Sequence, residues 1–458
     1  VAISSEKYHT CTILDNGSVS CWGYGGLGDG TTTTAQRNTP TQTSSLGTGR
    51  TAAVSERDWD NDGILNIFDS TPSVASPPLS QFNIPGFQEG SIYTNPTLAS
   101  GFGHTCALLD DGTVSCWGDN TYSQLGDGTA TERNTPAQTS SLGTGRTAVA
   151  ISSGSYYTCA ILDDASVSCW GRNYYGELGD GTTTQRNTPT QTSSLGTGRT
   201  AVAISSGSIH TCAILDDGSV SCWGKGSGQL GDGTSNPSTT PTQTSSLGTG
   251  RTAVAISSGY YHTCAILDDG SVSCWGLNHA GHLGDGTTIN RTVPTQTSSL
   301  GTGRTAVALS SGGYHTCAIL DDGSVSCWGW NRDGQLGDGT TTDRNTPTQT
   351  SSLGTNRTAV AISSGGFHTC AILDDASVSC WGANAYGILG DGTITDRTTP
   401  TQTSSLGTGR TAVAISSASS YTCAILDDGS VSCWGSNYYG QLGDGTNTDR
   451  NIPTQTSS

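Results

Sequence analysis

The chain has 458 residues, 64 of them Gly, with only 12% charged and a net charge of −18; Lys7 and Lys225 are its only lysines. Such acidity opposes docking on nucleic-acid phosphates, and no apolar run approaches the ~18 residues that read as a membrane-spanning helix. The Gly, Ser and Thr content with few charges excludes a mainly helical chain and points to many short strands and tight turns. With Val1 at its start and no Met, it reads as a processed or excerpted chain, any signal peptide or anchor lying outside it.

The first stretch, 1–54, introduces a unit that recurs along the whole chain. Its core is His-Thr-Cys-x-Ile-Leu-Asp-x-Gly-Ser-Val-Ser-Cys-Trp-Gly, followed by Leu-Gly-Asp-Gly-Thr. The first cysteines of the eight copies are Cys11, Cys106, Cys159, Cys212, Cys264, Cys317, Cys370 and Cys423, spaced by 53 residues from Cys106 onward except for one step of 52. The first step, Cys11 to Cys106, is 95, so one unit is followed by an insertion over 55–97.

That insertion carries a metal-ligand spacing. Counted from Asp58, side-chain oxygens of Asp58, Asp60, Asp62, Asn66 and Asp69 fall at positions 1, 3, 5, 9 and 12, Gly63 is at 6, and Ile64 offers its carbonyl at 7. Hard oxygen donors around a Gly-permitted turn are the pattern of a Ca2+ loop. The motif, with Pro72 after it, resembles a thrombospondin type-3 or dockerin-like calcium loop. Asp rather than Glu at position 12 shortens its reach, and the competing reading is a solvated acidic turn. Calcium here would stiffen the Pro-rich stretch that follows.

Units 2–8 fill 98–458. In the unit around Cys317, four strands are predicted at 305–310, 315–320, 324–328 and, more weakly, 347–351. Asp321-Asp322-Gly323 joins the second and third strands as a tight hairpin turn. The two cysteines of each unit are ten apart: Cys11/Cys21, Cys106/Cys116, Cys159/Cys169, Cys212/Cys222, Cys264/Cys274, Cys317/Cys327, Cys370/Cys380 and Cys423/Cys433. A hairpin folded at the Asp-Asp-Gly turn sets the pair opposite each other, so disulfides within each unit are predicted. Metal binding, free thiols and bridges between units are the alternatives. An even cysteine count at regular spacing favours an oxidising compartment.

Four short strands per repeat predict an all-β fold, a β-propeller. His-Thr-Cys-Ala-Ile-Leu-Asp-Asp-Gly-Ser-Val-Ser-Cys-Trp-Gly with Gly-Gln-Leu-Gly resembles the repeat of the regulator of chromosome condensation family, over about nine-tenths of the chain. The resemblance implies a propeller, usually of seven blades. The acidity, the cysteine pairs and the lack of a basic tail set this chain apart from the eukaryotic nucleotide-exchange factor and nearer the extracellular prokaryotic members. Eight units closing one ring are expected, because the two ends stand in nearly one phase of the repeat. Seven blades from about Leu98, with unit one elsewhere, are the alternative.

His9, His104, His210, His262, His315 and His368 share one repeat position, with Tyr157 and Tyr421 in the other two copies. A catalytic group has no need of six copies, so a hydrogen-bonded structural role is expected. The Trp of each Cys-Trp-Gly is expected to pack between blades. The Asp of each Leu-Gly-Asp-Gly-Thr reads as turn chemistry, with a cation-gathering rim as the alternative.

Copies differ most in Trp-Gly-x-Asn-x-x-Gly, which holds Tyr122, Arg172, Tyr174, Tyr175, His279, Trp330, Arg332, Tyr386, Tyr438 and Tyr439. Tyr, Trp and Arg dominate binding energy at interfaces, so these are the candidate contacts. Asn16, Asn290 and Asn356 lie in Asn-x-Ser/Thr sequons for glycosylation. No catalytic constellation stands out. The expected function is an extracellular or cell-surface binding module for a protein or glycan; the alternative is a structural surface or filament protein built by propeller stacking.

Overall fold

The computed structural model describes residues 2–5, 9–13, 18–24, 36–43, 98–101, 104–109, 111–428, 430–438, 442 and 444–456. They form 32 strands in eight four-stranded antiparallel sheets, each built from consecutive strands of one unit. The sheet from the Cys317 unit runs Ala306–Ser311, His315–Leu320, Val325–Gly329 and Arg344–Gln349.

The central hairpin is locally determined. Cys317 pairs with Cys327 and Ile319 with Val325, leaving a turn closed by Leu320 N–H to Ser324 O and Gly323 N–H to Leu320 O, both 2.8 Å. Gly323 takes φ +75°, while Ala165 and Ala376 at the same place in two other blades sit at +59° and +60°. The carboxylate of Asp322 accepts from the N–H and hydroxyl of Ser324 at 3.0 and 2.6 Å, which ties the turn.

The cysteines join within their own units, as the ten-residue spacing predicts. The bridges are Cys11–Cys21, Cys106–Cys116, Cys159–Cys169 and Cys212–Cys222 in the first four blades. Cys264–Cys274, Cys317–Cys327, Cys370–Cys380 and Cys423–Cys433 follow in the last four. Each pair is directly opposed in the hairpin register, with Cα atoms 4.1–4.2 Å apart. No bridge runs between units, and no cysteine is left free.

The fourth strand starts three residues earlier than predicted. An irregularity between Cys327 and Gly329 brings Arg344 opposite Gly329, so pairing resumes before Pro347, which the outermost strand tolerates.

The hydrophobic core lies between blades. One cluster joins Cys212, Ile214, Val220, Cys222 and Leu230 of one sheet to Ala253, Ala265, Leu267 and Trp275 of the next, and the grouping repeats around the ring. The eight Cys-Trp-Gly tryptophans are fully buried. Each carries a large apolar area out of water, and Trp223, Trp275 and Trp328 stack on Gly179, Gly231 and Gly284 of the preceding blade, where a Cβ would clash.

Eight blades close the circle. Trp22 packs with Tyr421, Ile425 and Leu442 of the last blade, and the first strands contact their neighbours all the way round, Ala2–Ser5 meeting both Ala412–Ser417 and Leu98–Ser100. Unit one is therefore a blade of the ring. Among the described residues no helix is long and apolar enough to cross a membrane.

Candidate interaction face

Antiparallel pairing sends the loops to two opposite ends. The Asp-Asp turns and the connections between blades occupy one end. The first-to-second and third-to-fourth strand loops occupy the other, and that end holds the candidate contacts.

Its base is rigid for a definable reason. In the third-to-fourth loop, the buried Asn331 accepts Leu336 N–H at 3.0 Å and donates to Asp338 and to the carbonyls of Thr340 and Thr342 at 3.1 Å. Asp338 in turn accepts from Thr340 and from Arg344 Nε at 2.6 Å. The same set recurs with Asp127, Asp180, Asp285, Asp391 and Asp444 paired to Arg133, Arg186, Arg291, Arg397 and Arg450, every one of these Asp side chains being 2–4% exposed. Burial opposes ionisation of Asp127, Asp180, Asp285, Asp338 and Asp391, but hydrogen bonds from the Thr and Arg outweigh it and hold each pKa below the ordinary value. These carboxylates are welds inside the loop, not a cation-gathering rim. The blade containing Cys212 lacks the weld: Gly226 and Ser238 stand where those six blades have Asn and Arg, and the carbonyl of Asn236 fills the place a Gly226 Cβ would take.

The repeated histidines are structural. Each Nε2 meets a Thr hydroxyl of the next blade, as in His104–Thr158 at 2.8 Å and His262–Thr316 at 2.9 Å. Those hydroxyls already donate to carbonyls, Thr158 to Gln124 O and Thr316 to His282 O, both at 3.2 Å. The imidazole must therefore donate from Nε2. Burial lowers the pKa of His104, His262, His315 and His368 to about 3 and that of His9 and His210 to about 4. Tyr157 spans the same gap by donating to His210 O at 2.5 Å and accepting from Thr211 at 3.0 Å.

The cysteines take no part in the loop end. Cys21, Cys116, Cys169, Cys222, Cys274, Cys327, Cys380 and Cys433 sit on the third strands, their partners on the second, and all sixteen are fully buried. Sulfurs sealed in the inter-blade core and tied to each other can neither meet a ligand nor hold a metal, so their role is to clamp the hairpin.

From this base the variable side chains project. Tyr174 is 59% exposed, Tyr386 49% and Tyr438 71%; Tyr175, His279 and Arg332 are also exposed, and Tyr122, Arg172 and Trp330 are half-buried. Tyr439 lies outside the described residues. Two groups form. Tyr122 meets Tyr156 at 5.1 Å and Tyr174 at 5.8 Å, with Arg172 5.1 Å over the Tyr156 ring. Tyr314 gathers His279, Trp330 and Phe367 within 6.3 Å. Tyr386 makes no ring contact with either group among the described residues.

Sequence reading missed the inner half of this surface. Tyr156, Tyr261, Tyr314 and Phe367 all stand immediately before the repeated His or Tyr, where other copies have Ile209 and Ser420; that variation was the available signal. Beside them, at the mouth of the central channel, a recess of about 180 Å3 is lined by Ser and Gly residues ending the first strands. The hydroxyl of Tyr260 reaches across it to Ser419, three blades on, at 3.1 Å.

The Asp58–Asp69 calcium motif and Asn16 lie outside the described residues, and among those described no group of three or more His, Cys, Asp or Glu could hold a metal. Asn290 and Asn356 are exposed.

A closed ring of eight repeats with one variable loop end defines a repeat β-propeller of the binding-scaffold type. The RCC1-like domain matches residues 79–414, and regulator of chromosome condensation (RCC1) repeats match 412–441 and 428–458. The chain belongs to the RCC1 repeat family. The ultraviolet-B receptor UVR8 of Arabidopsis thaliana is 32% identical over 358 residues, 78% of this chain and 80% of the receptor. The human E3 ubiquitin-protein ligase HERC2 is 32% identical over 244 residues, 53% of this chain but 5% of that protein. Among solved structures, yeast RCC1 (Prp20) bound to Kap60 superposes with a TM-score of 0.61 at 19% identity, over 75% of this chain and 83% of that one. Prp20p from Saccharomyces cerevisiae, described with its binding to Gsp1p and histones, gives 0.62 at 20% identity, over 80% and 87%. At such identities these two show the fold alone.

Proposed function

We propose that this propeller is an extracellular or cell-surface interaction module that holds a partner macromolecule on its variable loop end and performs no chemistry of its own. The observation that carries the reading is the contrast within six of the loops: buried Asn and Asp with a half-buried Arg fix the base, while the Tyr, Trp and His side chains that project from it change from copy to copy. Rigid loops bearing aromatic anchors lose little entropy on binding and supply large contact areas. The same class is supported by yeast RCC1 (Prp20), which is described bound to Kap60, and by Prp20p, described with its binding to Gsp1p and histones.

Eight buried bridges support an oxidising, extracellular setting. Ca2+ held by Asp58, Asp60, Asp62, Ile64, Asn66 and Asp69 belongs to this reading on the spacing of those ligands alone, as does glycosylation at exposed Asn290 and Asn356.

The test is capture of a partner by the intact chain and by a Tyr174→Ala, Tyr175→Ala, Trp330→Ala variant. Capture that disappears with the three substitutions, while the chain stays a folded monomer at dilution, is the expected result. Capture unchanged by them defeats the reading. Persistent polymers at high dilution would favour the filament-forming alternative.

A further inference from the structure

Among the described residues the cations are not distributed evenly. Thirteen arginines lie within 4 Å of a carboxylate, six in the loop welds, six beside the Asp-Asp turns, and Arg172 with the buried Glu177. Lys225 and Arg332 have no such partner. Each instead lies over an aromatic ring: Lys225 Nζ is 4.2 Å from the centre of Tyr175, and the Arg332 guanidinium 4.4 Å from the centre of Trp330. Both belong to the third-to-fourth strand loop, in blades two apart, and His279 occupies that loop in the blade between them.

In a chain of net charge −18, these two cations, which among the described residues have no carboxylate within 4 Å, stand on the same sector of the loop end, each over an aromatic ring. A ring beneath a guanidinium limits its rotation and leaves its N–H edge facing outward, the geometry that takes a carboxylate by two parallel hydrogen bonds. A purely apolar partner would strip water from both charges without replacing it, at a cost. Nucleic acid fits poorly, since two cations cannot offset the repulsion between phosphates and the surrounding acidic surface.

We infer that the sector from Lys225 to Arg332 receives an acidic segment of a partner protein, its carboxylates on the two ring-stacked cations and an apolar side chain on the aromatic cluster of Tyr314 and Trp330 beside Arg332. This rests on the loop end being the binding end, and it names the chemistry of what binds there.

A phage-displayed random peptide library selected on the full chain, with a Lys225→Ala, Arg332→Ala double variant as the competing bait, tests it. The enriched peptides are expected to carry Asp or Glu flanking an aromatic residue. The best of them, synthesised, should bind about tenfold more weakly to either single variant, and binding should weaken as salt rises from about 50 to about 500 mM. Its Asn/Gln counterpart should not bind. Enriched peptides without an excess of carboxylates, or no peptide that distinguishes the chain from the double variant, overturn the inference. Should the partner captured by the intact chain depend on Tyr174 and Trp330 but not on Lys225 or Arg332, the binding end stands and the acidic partner falls.

Discussion

At one end of the propeller the same contacts return blade after blade: Arg146 meets Asp163 and Asp164, Arg251 meets Asp268 and Asp269, and Arg410 meets Asp427 and Asp428. At the other end six loops keep their Asn, Asp and Arg and change nearly everything that projects. Strength of interaction does not explain the difference. The repeated pairs are 25–41% exposed, where an ion pair contributes little. What holds the first end constant is backbone chemistry, because each turn carboxylate also caps N–H groups, as Asp321 does for Thr305 and Asp322 for Ser324. At the variable end those duties fall to buried side chains, so the outward positions are free to differ.

Acid should produce the largest effect, acting on the shared interior and sparing neither end. Burial lowers the pKa of the six repeated histidines from 6.5 to about 3 or 4. Below 6.5 the unfolded chain takes up protons that the folded chain refuses. Stability is thus complete above that value and falls as the pH drops towards 4, by ~1.4 kcal/mol per histidine per pH unit. Denaturant midpoints at about pH 7, 5.5 and 4 measure this; a flat profile would show that the histidines are not held neutral.

A matched pair of truncations sharpens the contrast between interior and loop. Trp275→Ala removes a fully buried ring from an inter-blade core and should cost about 3–5 kcal/mol. Tyr174→Ala should stay within about 0.5 kcal/mol. Equal losses in denaturant unfolding would mean that the loops share in holding the ring together.

The smallest effect lies in the constant end. Ala165 holds the left-handed conformation that Gly takes in most of the equivalent turns, so Ala165→Gly should stabilise by about 1 kcal/mol. No gain in melting temperature would mean that the Ala methyl makes a compensating contact.

What sequence reasoning reached was whatever depends on near neighbours in the chain. The hairpin turn and the bridge between Cys317 and Cys327 follow from ten residues and one Asp-Asp-Gly, and the same ten-residue spacing gives Cys11–Cys21 through Cys423–Cys433. The number of blades followed from counting units and noticing that the ends share a phase. The start of the fourth strand did not follow, because the irregularity after Cys327 is a matter of sheet geometry. The role of Asp338 was half legible: its bond to Thr340 is turn chemistry, but the weld needs Asn331 and Arg344 on either side. The inner aromatics escaped because their only mark was variation at a single position before an otherwise regular histidine or tyrosine.

The ring closes without a special joint. Each blade is continuous in the chain, and the first and last meet through the same Trp-on-core packing as any other neighbours, with Tyr421 donating to the carbonyl of His9 much as Tyr157 does to His210. No strand is shared across the seam. A circular permutant that joins the present termini and opens between any two blades would keep every neighbour relation, and duplication or loss of a unit would change the circumference without inventing a new kind of contact.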